Sequence, residues 1–131
     1  MGTFLFGLPG ESKESCEKTI EFAKEIGADF ASFNILIPRM NTNIRKQAIE
    51  KGWVKSGIKV MDQSGNFSVM GSDKMTAEEI LGLKEKADKS FYLRPSYLLR
   101  RIASIRNTYE LKLLVINGFS VINQIFKRKD D

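Results

Sequence analysis

Two short apolar runs, separated by about the length of one helix, constrain this chain more than anything else in it. Thr3-Phe4-Leu5-Phe6 is almost continuously apolar and stops at Gly7-Leu8-Pro9-Gly10, and Phe30 to Ile37 (FASFNILI) is a second such run, closed by Pro38. Short runs this rich in apolar residues read as strands buried on both faces. Between them Ser12 is placed to cap a helix, and Glu14 falls in the first turn, where the helix dipole favours a carboxylate. Cys16, Ile20, Ala23 and Ile26 share one face of that helix, and Gly27 supplies its stop. Strand, helix and strand in that order predict an α/β fold with two parallel strands and a right-handed crossover.

The remainder reads as helical. A short helix is expected from about Asn43 to Lys51, with Ile44, Ala48 and Ile49 inward and Gly52 after it. Ile58/Val60 and Phe67/Val69 alternate around Ser64-Gly65-Asn66, which suggests a hairpin; an extended, unpaired segment is the rival. Thr76 and Glu79 form a capping box, with Met75 and Ile80 as the hydrophobic staple around it. The face continues through Leu83, Ala87 and Phe91 up to Arg94-Pro95. A further helix with Pro95 in its first turn should bury Leu98, Ile102 and Ile105. A last one is expected from Tyr109 to Phe126, with Leu111, Leu114, Val115, Gly118, Ile122 and Ile125 on one side. This divides the chain into a β-α-β part with its following helix (1–52), a linker or hairpin (53–75) and a helical region (76–131). A sheet of two doubly apolar strands that opens at residue 2 reads as a piece of a larger sheet, since such sheets are covered on both sides and have more strands.

Composition narrows the chemistry. Among 131 residues there is one cysteine and no histidine. Cys16 alone cannot form an internal disulfide, hold a zinc or ligate an iron–sulfur cluster, and a Ser/His/Asp triad is excluded. One unpaired cysteine suits a reducing, cytoplasmic setting. The longest uncharged stretch, Leu113–Phe126, falls short of the roughly 20 residues of a membrane span. It reads as a core helix, with a surface-lying helix ahead of Lys127-Arg128-Lys129 as the membrane-contact alternative.

The loop from Gly7 to Ser12 joins a strand to a helix N-terminus, where ligands of parallel α/β proteins bind. No Gly-Lys-Ser/Thr follows and Glu11 would repel an anion, so a cationic or hydroxyl-bearing ligand suits it better than a phosphate. A tight turn with no ligand is the alternative. Ser15 and Lys18 have the S-x-x-K spacing of a nucleophilic hydrolase without its supporting motifs. Cys16, on the core face, reads as an inert thiol. Arg94, Arg100, Arg101 and Arg106 read as the solvated side of helices; a stand-alone basic α/β domain binding an acidic partner or nucleic acid is the competing reading.

The ordered motifs point to a family. Gly2-Thr3-Phe4-Leu5-Phe6-Gly7-Leu8-Pro9-Gly10-Glu11-Ser12 resembles the G-x-x-x-x-G-L-P-G-E-T stretch on the fifth barrel strand of radical S-adenosylmethionine (radical SAM) enzymes. Phe33-Asn34-Ile35-Leu36-Ile37-Pro38 resembles their sixth strand, and Thr42, Ile44, Ala48 and Gly52 match the helix that follows. Met75-Thr76-Ala77-Glu78-Glu79-Ile80 and Phe91-Tyr92-Leu93-Arg94-Pro95-Ser96-Tyr97 resemble segments of the cobalamin-binding subclass that includes anaerobic magnesium-protoporphyrin IX monomethyl ester cyclases. Where the family has P-x-P-G-T, this chain reads Pro38-Arg39-Met40-Asn41-Thr42; Asn41 can adopt the left-handed geometry that glycine would supply.

The resemblance implies the last two strands of a partial TIM barrel followed by a helical tail. The parent oxidoreductase or cyclase would use a [4Fe-4S] cluster and S-adenosylmethionine to make a 5′-deoxyadenosyl radical, with cobalamin implied by the tail alone. The cluster's cysteines would lie upstream, so this chain would hold no cofactor of its own and be inactive, with the upstream remainder of its own polypeptide as partner. The substrate would be organic or tetrapyrrole-like, and no nucleic acid is expected. By family position Gly7, Leu8, Pro9, Gly10 and Glu11, with Leu36, Ile37 and Pro38, would flank the adenine through backbone and apolar contacts.

Overall fold

A computed structural model of the chain describes residues 1–54, 70–105, 107, 112, 115, 116 and 118. The elements run β1 (Gly2–Phe6), α1 (Lys13–Glu25), β2 (Ala31–Ile35), α2 (Asn43–Glu50), α3 (Ala77–Tyr92) and α4 (Pro95–Ala103). They fall into two compact units, Met1–Ala87 and Asp88–Asp131.

In the first unit β1 and β2 pair in parallel, from Gly2 opposite Ala31 to Phe6 opposite Ile35. This is the expected β-α-β. Phe6, Phe33 and Ile35 are buried, and the Phe33 ring stacks on Phe4 at 5.2 Å and on Phe6 at 5.9 Å. Cys16, Ile20 and Ala23 of α1 complete this core. The expectation of strands buried on both faces is corrected. Thr3 and Leu5 are exposed, Ser32 and Asn34 are half-buried, and the Asn34 side-chain amide donates to the Ser32 hydroxyl at 3.2 Å. Alternating residues point to opposite faces, so these four polar or exposed positions form a second face, which the alternation of Ser32 and Asn34 already marks in β2.

Local chemistry explains the ends of α1. Ser12 and Ser15 form a reciprocal capping box, Ser15 N–H donating to Ser12 Oγ (3.3 Å) and Ser12 N–H to Ser15 Oγ (3.0 Å). Ser15 Oγ also donates to the Ser12 carbonyl at 2.8 Å, so its hydroxyl serves the cap. Gly27, with φ +63°, ends the helix in the left-handed region that glycine tolerates. Ile26, expected on the buried face, is exposed, because it is already the C-cap residue and has left the helical row.

Asn41 adopts φ +62°, so the left-handed turn survives without glycine. Thr42 then caps α2, its hydroxyl accepting from Arg45 N–H at 3.4 Å and donating to the Arg39 carbonyl at 2.7 Å. Ala48 is buried as expected, but Ile49 is exposed and Ile44 half-buried; the second buried position belongs to Arg45. Ala48, Val54 and Met70 form a cluster with Leu36 and Trp53 against it. Gly71 N–H donates to the Trp53 carbonyl at 3.2 Å. The hairpin expected around Ser64-Gly65-Asn66 lies outside the described residues.

Thr76 and Glu79 make the predicted capping box, Thr76 N–H donating to Glu79 Oε2 (2.8 Å) and Glu79 N–H to Thr76 Oγ1 (3.2 Å). Met75 and Ile80 are buried beside it. In the second unit the rings of Phe91, Tyr92 and Tyr97 meet with centroids 5.0–5.5 Å apart. Leu98 and Ile102, expected to be buried, are exposed; Tyr97 takes the buried place because its ring closes this aromatic group. Most of the expected Tyr109–Phe126 helix lies outside the described residues. Among those described, no helix is long and apolar enough to cross a membrane.

Candidate functional site

Parallel pairing brings the carboxyl ends of both strands to one rim. Leu36 N–H donates to the Phe6 carbonyl at 2.8 Å, which carries the ladder one residue past β2 and sets Leu36–Pro38 beside the Gly7–Glu11 loop. The two segments singled out from the sequence are therefore neighbours.

The loop is held by its own carboxylate. Glu11 Oε2 accepts from Gly7 N–H at 2.7 Å and from Leu8 N–H at 3.1 Å, while Glu11 N–H donates to the Leu8 carbonyl at 3.0 Å. Glycine at position 7 is needed twice over. Its φ is +88°, and a Cβ there would lie 3.3 Å from Ile80 Cδ1 and 3.4 Å from Ile80 Cγ2. Gly10 also has positive φ (+80°) but faces open space, with nothing within 4 Å of a Cβ.

The eight expected site residues thus separate. Leu8, Pro9 and Gly10 are exposed on the rim, and Leu36 and Glu11 are half-buried. Gly7, Ile37 and Pro38 are buried, so they offer a ligand backbone at most. Pro38 is anchored by a residue that the sequence reading passed over: buried Arg45, whose Nη1 donates to the Pro38 carbonyl at 3.0 Å. Its place three residues after the Thr42 cap, in the first turn of α2, was the available signal.

Behind the loop lies Cys16. Burial pushes its thiol up to about 12, with the negative Glu11 adding to the effect, so the sulfur stays protonated and poorly suited to metal or nucleophilic chemistry. Among the described residues no three His, Cys, Asp or Glu side chains gather in a way that could hold a metal ion.

A cleft of ≈ 580 Å³ opens between the N-terminal parts of α1 and α3, adjoining this rim at Ser12. It does not include the Gly7–Glu11 loop or Leu36–Pro38. Charges balance within it: Lys86 pairs with Glu17 at 2.6 Å and holds that carboxyl below its ordinary range, while Glu79 is committed to the cap of α3. Glu14 is likewise held low, by a backbone N–H and then by Ser12.

No family model matches the chain. It is 35% identical over 102 residues, 78% of its length, to an uncharacterised methyltransferase of Pyrococcus horikoshii. That stretch is 22% of the methyltransferase, so the chain spans about a fifth of the length of this relative.

Proposed function

We propose that this chain is the closing β-α-β segment and helical tail of an S-adenosylmethionine-dependent enzyme of the radical SAM type, related to the cobalamin-binding, tetrapyrrole-cyclase-like subclass. The observation that carries the reading is the similarity to a methyltransferase over 78% of the chain. The rim geometry supports it. Exposed Leu8 and Pro9 with half-buried Leu36 offer an apolar wall suited to an adenine ring, and Gly10 leaves space for a close approach. The Glu11 carboxylate suits a sulfonium cation better than an anion.

S-adenosylmethionine bound at this rim would supply methyl-transfer or radical chemistry in the parent protein. The residues here do the binding work: Glu11 fixes the loop, Arg45 fixes the Pro38 carbonyl, and Leu8 and Leu36 exclude water from the ring face. An iron–sulfur cluster does not fit these residues, because the thiol of Cys16 is buried and protonated. Its ligands belong, in this reading, to an upstream part of the parent polypeptide, and the substrate is organic or tetrapyrrole-like.

The test is anaerobic iron–sulfide reconstitution of the chain alone and of the parent polypeptide, followed by assay for cleavage of S-adenosylmethionine. The parent should acquire the iron–sulfur absorbance and consume the cofactor, and the chain alone should do neither. Cluster formation and turnover by the isolated chain, or a reconstituted parent without a cluster, overturns the assignment.

A further inference from the structure

Backbone accounting leaves one edge of the sheet open. Gly2 N–H donates to the Phe30 carbonyl and Leu36 N–H to the Phe6 carbonyl, each at 2.8 Å. In a parallel ladder alternate residues turn both backbone groups towards the neighbouring strand, so these two end bonds assign Gly2, Phe4 and Phe6 to that role. Thr3 and Leu5 therefore present their N–H and C=O to the far side of β1, where no described residue pairs with them. Both residues are exposed, and β1 has none of the charges or prolines that blunt a free strand edge. A second feature lies on the same side. Along α1, Ser15, Thr19 and Phe22 follow at spacings of four and three on one flank, and Ile26 continues it beyond the last turn. Phe22 and Ile26 are 56% and 48% exposed, and no charged residue stands in the row. Ile26 Cδ1 lies 3.8 Å from where a Cβ on Gly2 would stand, so this flank overhangs β1. The opposite flank is charged and engaged: Glu17 pairs with Lys86 of α3, and Lys24 with Glu21.

An open strand edge beside an uncharged helix flank matches one kind of occupant, a parallel strand together with its helix. In right-handed β-α-β packing each new strand pairs at the edge while its helix lies against the helix already there. A flank meant for water would carry charges, as the opposite one does. A lipid surface would cover Phe22 and Ile26 but leave the Thr3 and Leu5 backbone groups without partners. A second copy of the chain is a poorer occupant. Across a two-fold axis that keeps both helices on one side of the sheet, β1 would meet its twin antiparallel, in a sheet whose own strands are parallel. The matched stretch is 22% of the relative's length, so a protein of that kind has ample polypeptide to supply the missing unit. We propose that the β1 edge and the Ser15–Thr19–Phe22–Ile26 flank together seat a further β-α unit of the parent polypeptide, its strand parallel to β1 and bonded to Thr3 and Leu5. This rests on the reading of the chain as a segment of a longer protein and is independent of the cofactor.

The test is backbone amide hydrogen exchange on the full chain and on the parent polypeptide. In the chain alone Phe4 and Phe6 should be protected, while Thr3 and Leu5 exchange at close to the rate of an unfolded peptide. In the parent the Thr3 and Leu5 amides should slow by about a hundredfold or more. Leu5→Pro supplies a second readout, because it removes a donor that β2 does not use: the urea midpoint of the chain should hold while that of the parent falls. Phe22→Glu should divide the two proteins in the same way. Thr3 and Leu5 amides that stay fast in the parent, variants that affect both proteins equally, or a dimer of the chain in which the two amides are already protected would each overturn the proposal. Protection in a parent that forms no iron–sulfur cluster supports it while defeating the cofactor reading.

Discussion

Replacing Glu11 by alanine tests whether the strand-end loop is built by its own carboxylate. The substitution removes the acceptor of two backbone N–H groups. Gly7 is buried, and its donor, 2.7 Å from the carboxylate, would be left without a partner. That loss is worth about 2 kcal/mol for a hydrogen bond to a charged group. Leu8 is exposed, so water replaces its partner and the added cost is about 0.5 kcal/mol. The expected destabilisation is therefore about 2.5 kcal/mol, or a fall of about 1 M in the urea midpoint at the slopes of ordinary domains. Glu11→Gln keeps an uncharged oxygen in place and should cost about 1 kcal/mol. Trp53 is the single tryptophan and packs against the Ala48–Val54–Met70 cluster, so its fluorescence reports unfolding of this unit. If Glu11→Ala unfolds within about 0.5 kcal/mol of the parent sequence, or Glu11→Gln is as damaging as alanine, the carboxylate does not build the loop.

Four further outcomes follow from the same geometry. Gly7→Ala should destabilise by about 2–4 kcal/mol, because backbone strain adds to the clash with Ile80, whereas Gly10→Ala carries the strain alone, about 1–2 kcal/mol; urea titration of both variants checks the difference. Arg45→Met keeps most of the apolar stem but removes the donor to the Pro38 carbonyl, for an expected loss of about 2 kcal/mol in the same titration. Cys16 should resist a thiol reagent in the native protein and react fully in denaturant. Its folded value of about 12 lies above the ordinary 9.0, so its contribution to stability is present below pH 9.0 and lost as the pH rises towards 12. Cys16→Ala should flatten that loss in stability curves measured against pH.

Much of the architecture is legible in short-range chemistry. The Ser12 and Thr76 caps, the Gly27 stop and the left-handed Asn41 each depend on a few adjacent residues, and each forms where the sequence places it. Facing is less legible. Thr3 and Leu5 do not interrupt an apolar run, so the run conceals the alternation that a half-covered strand shows in space. Ile49, Leu98 and Ile102 have helical spacing and are exposed, since spacing defines a stripe without saying which stripe meets the body of the protein. At the rim, the sequence presents Glu11 as a charge that would choose a ligand. Its hydrogen bonds into Gly7 and Leu8 make it a structural clamp first, a role that charge and spacing do not reveal. Arg45 is not legible as a buried residue because long basic side chains are rarely buried, and its hydrogen bond to the Pro38 carbonyl spans the left-handed turn at Asn41.

The clamp has a selective consequence. In phosphate-binding loops, free amides at a strand–helix turn greet the incoming anion. Here two of them are already satisfied by an internal negative group, so a nucleoside triphosphate would have to evict Glu11 and face its repulsion as well. A polyphosphate at this turn would meet filled donors and a like charge, an obstacle that a neutral or positively charged molecule would not face.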